Sequence, residues 1–243
     1  MTICKNCNQQ FEGNYCNNCG QSANTHSINI HFLWHDIQEG LFHFERGILF
    51  TIKELFIRPG YTIREFLDGK RVKHFKPISF LIILATINGL LYHYLKINIV
   101  SATNRASHFA SFMNEWRANH YSIIQLLALP AFTVASWVVF RKNNRNFLEH
   151  FVLNAYLIGL LVIAGIVLVP LFYIYRDTSR LSIVLTISHL VNFPIAYWVY
   201  YQFFDQRDKI KLVFKILMTL LLYYFLFIVT MILLFISKKY LFS

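Results

Sequence analysis

Five long apolar stretches of this chain contain no Asp, Glu, Lys or Arg: residues 77–95, 118–140, 150–175, 181–204 and 216–237. Their lengths are 19, 23, 26, 24 and 22 residues. A helix needs about 20 predominantly apolar residues to cross the hydrocarbon core of a bilayer. One such run could be a buried helix of a soluble domain. Five in succession predict a transmembrane bundle. Composition agrees, with 56% apolar residues, 14% charged residues and a mean hydropathy of +0.44. An average soluble domain is about a quarter charged, and disordered chains are poorer still in apolar residues. Both classes are excluded.

Aromatic side chains mark the ends of the runs, as expected at headgroup level. Tyr92 and Tyr94 close the first, Tyr121 opens the second, and Tyr173 and Tyr175 close the third. Tyr200 and Tyr201 lie near the end of the fourth, and Tyr240 follows the fifth. Residues 176–180 are a short turn, so runs three and four should form an antiparallel hairpin. Basic residues then set the orientation. Sixteen of the 23 Lys and Arg fall on the side of the N-terminus and seven on the other. The positive-inside rule predicts a cytosolic N-terminus and a C-terminus outside. The formal net charge of +11 is thus an orientation signal, not a uniform basic surface.

All four cysteines lie in the first 19 residues, spaced Cys4-x2-Cys7-x8-Cys16-x2-Cys19. This segment lacks the basic start and apolar run of a signal peptide. Two Cys-x2-Cys knuckles supply four thiolates in the tetrahedron that zinc prefers. Asn6, Asn8, Asn17, Asn18 and Gly20 suit the tight turns of such knuckles, and Phe11 and Tyr15 are the candidate scraps of core. So small a piece buries too little apolar surface to fold unaided, so metal must supply folding energy. Two disulfides or free thiols are the alternatives. Disulfides need an oxidising compartment, which the predicted topology denies. Four cysteine ligands close the coordination sphere, so the Zn²⁺ would be structural. His26 could replace one ligand, but four cysteines suffice.

Between this ribbon and the first span, Ile30, Leu33, Ile37, Leu41, Phe44, Ile48, Ile52 and Leu55 recur every three or four residues. That period predicts an amphipathic helix over residues 28–57, with a break at Gly40 or Gly47, lying on the inner leaflet or against the bundle. Arg58-Pro59-Gly60 should end it, and a short helix should follow over residues 62–67. Asp68-Gly69 then turns the chain into a basic run before Pro77. Arg58, Arg64, Lys70, Arg71, Lys73 and Lys76 are candidates for a collar that holds anionic lipid headgroups. The positive-inside rule alone accounts for the same charges.

Glu45-Arg46-Gly47, Thr51, Leu55, Arg58-Pro59-Gly60, Phe66-Leu67-Asp68-Gly69-Lys70-Arg71 and Lys76-Pro77 resemble a membrane-protein family known as domain of unknown function 3667. The resemblance covers residues 1 to about 95, and the remainder only by hydropathy. It implies a bacterial inner-membrane protein and no particular reaction. The layout is also similar to that of bacterial Yip1-type proteins, in architecture only.

Inside the runs there is no acidic residue, which lowers the case for an ion-coupled transporter. His189 and Asn192 share a helix face near Pro194 and are the candidate intramembrane polar site. A neutral His bonded to a neighbouring helix is the plainer reading. Asn88, Gln125, Asn154 and Asn192 should face the bundle interior. Pro130, Pro170 and Pro194 are candidate kinks or helix ends. His31 and His35 have metal-capable spacing without a metalloprotease motif. There is no phosphate-binding Gly loop, nucleophile elbow or paired catalytic carboxylate. Residues 1–27 carry only Lys5 as a base, so no nucleic-acid partner is expected.

The expected fold class is an all-α integral membrane protein. Residues 1–25 form the zinc ribbon, 26–76 the amphipathic and basic juxtamembrane segment, and 77–243 a five-helix transmembrane bundle. The expected role is non-enzymatic, with the ribbon as a docking or sensing module for a protein partner and the collar on membrane lipids. The alternative is a small-molecule or lipid transporter or lipid-handling protein, motivated by the prolines and polar residues within the runs. A membrane enzyme acting on a lipid headgroup ranks last, because it lacks an acid–base pair.

Overall fold

The computed structural model describes residues 1–23, 25, 28, 47–95, 120–176, 178, 180–206 and 208–241. A two-stranded antiparallel ribbon opens the chain, β1 (Thr2–Ile3) paired with β2 (Gln10–Phe11). Seven helices follow among the described residues: α1 (Gly47–Ile57), α2 (Pro59–Leu67), α3 (Pro77–Tyr94), α4 (Tyr121–Phe140), α5 (Phe147–Tyr175), α6 (Leu181–Phe204) and α7 (Lys209–Leu241). The last five are each long and apolar enough to cross a membrane. The expected amphipathic helix is described only as α1; His31, His35 and the rest of residues 29–46 lie outside the described residues. The second helix starts at Pro59 instead of residue 62, because a proline at the first helical position has no amide to leave unpaired.

Two span boundaries differ from the charge-free runs for identifiable reasons. α5 begins at Phe147, three residues before the run, because Asn146 and Glu149 form a capping box. The Glu149 amide donates to Asn146 Oδ1 at 2.8 Å, and the Asn146 amide donates to Glu149 Oε2 at 2.9 Å. α7 begins at Lys209, seven residues before its run. A lysine within the first turns of a spanning helix does not end it, since its head can reach a polar partner beyond the apolar zone. Lys215 does so, donating to Asn143 Oδ1 at 3.1 Å while its ammonium lies 4.9 Å from the Phe140 ring centre.

α5 is the axis of the bundle and packs on α3, α4 and α6, with α7 closing against α4 and α6. Its first half is buried almost continuously, from Val152 to Leu160. Phe80, Leu81, Leu153, Tyr156, Leu157, Val199, Tyr200 and Phe203 fill the main core. A smaller cluster at the other end joins Tyr92, Val169, Phe172 and Leu181. There Tyr92 stacks on Tyr121 at 4.4 Å, and Arg176 donates to the Leu95 carbonyl at 2.8 Å. Large apolar side chains such as Val167, Leu190, Leu221 and Leu233 remain exposed on the outside of the bundle. An outer surface of this kind suits lipid, not water. Pro130, Pro170 and Pro194 all lie within helices.

Candidate metal centre and basic collar

The first 23 residues build two copies of one turn, twelve residues apart. In the first, the Cys4 amide donates to the Gln9 carbonyl at 2.9 Å and the Asn8 amide to the Cys4 carbonyl at 2.9 Å. In the second, the Cys16 amide donates to the Gln21 carbonyl at 2.8 Å and the Gly20 amide to the Cys16 carbonyl at 2.8 Å. Each turn needs one residue with positive φ: Asn8 at 60° and Gly20 at 74°. Asn and Gly are the residues that adopt that region at least cost. Phe11 is buried beneath the cysteines as expected. Tyr15 is not part of that core: it is exposed, and its backbone instead pairs with Ser22.

The turns bring the four Sγ atoms to within 4.8 Å of one another. Cys4 and Cys19 are 3.5 Å apart and Cys7 and Cys16 are 3.6 Å apart. Four sulfurs each about 2.3 Å from a tetrahedral ion would be about 3.8 Å apart. The cluster therefore has the size of a metal cage, and all four cysteines are free of disulfides. The electrostatics are uneven. Burial pushes the Cys4 thiol up to about 11. Burial acts the same way on Cys19, but the Asn6 side chain and the Gln21 amide outweigh it and bring that thiol down to about 6. The Gln9 amide is the largest cause of a lowered value at Cys7. Amides pointed at sulfur favour thiolates, the form that ligates metal.

The module rests on the loop after α2. Gln21 is 2% exposed. Its amide nitrogen donates to the Gly69 carbonyl, and its oxygen accepts from the Arg71 amide at 3.3 Å. Lys5 donates to the Thr25 carbonyl at 2.8 Å alongside. Gly69 has φ +104°, a conformation other residues rarely adopt.

Below that loop the juxtamembrane segment is tied together by its own side chains. Glu54, Arg58, Glu65 and Lys70 form a chain of ion pairs with N–O distances of 2.6, 3.0 and 3.2 Å. The Phe75 amide donates to Thr51 Oγ1 at 2.7 Å, and the Tyr156 hydroxyl donates to the Phe75 carbonyl. Gly60 lies against α6, where its amide donates to Gln202 Oε1 at 3.1 Å. The six collar residues are thus brought together but not equally free. Arg58 and Lys70 are held by carboxylates. Arg64 lies 4.6 Å over the Tyr61 ring. Arg71 lies 5.3 Å over the Phe66 ring and donates to the Phe66 carbonyl at 3.2 Å. Lys73 is exposed and Lys76 half-buried.

Two titrating groups give this segment a pH dependence. Burial holds His74 below the ordinary histidine range, against the weaker opposing fields of Glu65 and Glu54. Partial burial pushes Glu65 up, but Arg58 and Lys70 more than offset it and hold the carboxyl low. Both values are depressed in the fold, so both contributions are complete above the unfolded values and are lost on acidification. The His74 part should go first, below about pH 6.5, and the Glu65 part below about pH 4.3. Protection of residues 47–75, taken relative to the intrinsic exchange rate at each pH, should therefore fall between pH 7 and pH 5, and His74→Leu should flatten that step. Protection that does not change with pH would contradict it.

The candidate intramembrane pair is separated by burial. His189 is on the exposed face of α6 and Asn192 is half-buried. Asn88 and Asn154 are buried as expected, whereas Gln125 is half-buried. The polar cluster that the helices do assemble lies at the end of the bundle next to α2. His150 Nδ1 is 3.0 Å from Ser136 Oγ, Asn154 Nδ2 donates to Ser136 Oγ at 2.7 Å, and the Tyr200 hydroxyl donates to Asn154 Oδ1 at 2.9 Å. These four side chains, from three helices, are fully buried. The cluster joins α4, α5 and α6 and is packed, with Phe140 stacked 5.3 Å from Tyr200.

Five spans, a four-cysteine cage and an internally bonded collar define a multi-pass membrane protein with a metal-competent module. Residues 45–88 match the family model described as Protein of unknown function (DUF3667), so the chain is similar to that family over this stretch. The match takes in α1, α2, the whole basic run and most of α3, and leaves the cysteines outside it. No curated protein and no solved structure matches the chain.

Proposed function

We propose that the protein is a non-enzymatic component of a bacterial inner membrane whose cysteine module binds Zn²⁺ structurally and serves as a docking or sensing element for a protein partner. The observation that carries this is the cage of four free thiols within 4.8 Å, fixed to the collar of a membrane bundle. Four cysteine ligands leave no open position for substrate or water. The bacterial setting rests on the family resemblance, and the cytosolic placement of the module on the excess of basic residues at its end of the bundle. Anionic lipid is the second partner. The outward stripe of α1 carries exposed Leu49, Lys53, Phe56 and Ile57, a mixed apolar and basic face suited to the headgroup boundary. Lys73 lies exposed in the nearby run before α3.

The test is the metal content of the 243-residue chain purified from membranes under reducing conditions. About one zinc ion per chain is expected, and reduced protein without it overturns the reading. Orientation has its own measurement. A reporter that matures only in the cytosol should be active when fused before Met1 and inactive when fused after Ser243. Of the pair behind the transport alternative, His189 is exposed on α6 and Asn192 is half-buried.

A further inference from the structure

The two cysteine turns repeat each other, so Gln9 and Gln21 occupy equivalent places. Each accepts, through its backbone carbonyl, the amide of the first cysteine of its knuckle. Their side chains nevertheless differ in use. Gln9 is exposed, whereas Gln21 is 2% exposed and grips the collar loop at the Gly69 carbonyl and the Arg71 amide. A buried amide bonded at both ends to backbone is costly to pull away, since each group left unpaired forfeits its hydrogen bond without regaining water at once. The loop itself leads inward. Arg71 donates to the Phe66 carbonyl, Phe66 meets Tyr156 edge-on at 5.6 Å, and the Tyr156 hydroxyl holds the Phe75 carbonyl. Tyr156 belongs to the axial helix α5.

We propose that Gln21 is a metal-dependent latch: with zinc in the cage, the second knuckle holds Gln21 against Gly69 and Arg71, and loss of the metal releases the loop beside α5. The inference rests on the zinc reading above and adds to it the contact through which the metal state reaches the membrane helices. The physical coupling is direct. The carbonyl of Gln21 closes the knuckle of Cys16 and Cys19, while its side chain closes the loop. A knuckle without metal has no reason to keep Gln21 in place, because so small a module lacks a core of its own.

The experiment is hydrogen exchange of residues 68–75 in the 243-residue chain reconstituted in lipid nanodiscs. Zinc-loaded protein is compared with chelator-treated protein, Gln21→Ala, Gln21→Glu and Gln9→Ala, with zinc content measured on each. Chelation and Gln21→Ala should each speed exchange by about tenfold, the size expected for a lost buried hydrogen bond. Gln21→Ala should do so while keeping its zinc. Gln21→Glu, which still accepts from Arg71 but no longer donates to Gly69, should fall between. Gln9→Ala should match the unaltered protein. If zinc is bound but its removal leaves residues 68–75 as protected as before, the latch is wrong and the metal reading stands. Full protection in Gln21→Ala also overturns the latch, and protein that holds no zinc overturns both.

Discussion

Cys4→Ser together with Cys7→Ser is expected to abolish zinc binding and unfold residues 1–23, while the five-span bundle still inserts. Closed four-cysteine sites supply about 10–16 kcal/mol of apparent binding energy at neutral pH. Here that energy has little else beneath it. The module's core is Phe11 with Cys4 and Cys16, packed by Cys7, Cys19 and Ala23. Removing two ligands leaves Phe11 and three or four side chains to order the segment, against a conformational cost of about 1–2 kcal/mol per residue. The bundle has an independent core around Phe80, Tyr156 and Phe203, so its helices should survive. Limited proteolysis should cut the variant within residues 1–23 and leave a membrane-embedded remainder. Wild-type resistance in the absence of zinc would show that the module folds without metal.

Gly60→Ala should be the most damaging change in the collar. A methyl group at Gly60 would fall on the backbone nitrogen of Phe203 and on the side chain of Gln202. A flexible side chain can swing away, but a helix backbone cannot, so α2 must move off α6. Overpacking of this kind costs typically 1–3 kcal/mol, and loss of the bond from the Gly60 amide to Gln202 adds to it. A total near 3 kcal/mol is expected, read as a lowered midpoint of thermal unfolding and faster exchange over residues 59–67. Gly165 provides the control: a methyl there meets only Asn88 at 3.8 Å, an ordinary contact. Gly165→Ala should be neutral or mildly stabilising, since alanine favours the helix.

Much of this architecture could be read along the chain because its signals are local. Five charge-free runs specify five spans, since the penalty for charge in hydrocarbon acts on every residue of a span. The knuckles and the Gly69 turn are each set by neighbours within a few residues, and so is the helix start at Pro59, which the sequence expectation places three residues too late. Even the early start of α5 was written in Asn146 and Glu149, a capping box four residues long. The buried polar cluster could not be read in this way. Ser136, His150, Asn154 and Tyr200 come from three helices and meet only after packing. A helix that is apolar all round carries no stripe to say which face is inside. His189, in the middle of a run, and His150, at the edge of one, therefore look alike in sequence. Packing places the first outside and the second within. Gln21 posed a similar difficulty, since its twin Gln9 stands in the same local pattern.

That asymmetry between twins gives the cysteine module a direction. One flank is already occupied by its own chain through Gln21. Its twin Gln9, with Ile3 and Tyr15, is exposed among the described residues. Under the proposed docking role, a visiting protein would use those exposed residues, while the chain's own loop keeps Gln21. If the cage holds zinc as proposed, removing the ion would loosen the exposed surface and the grip on the loop in one event.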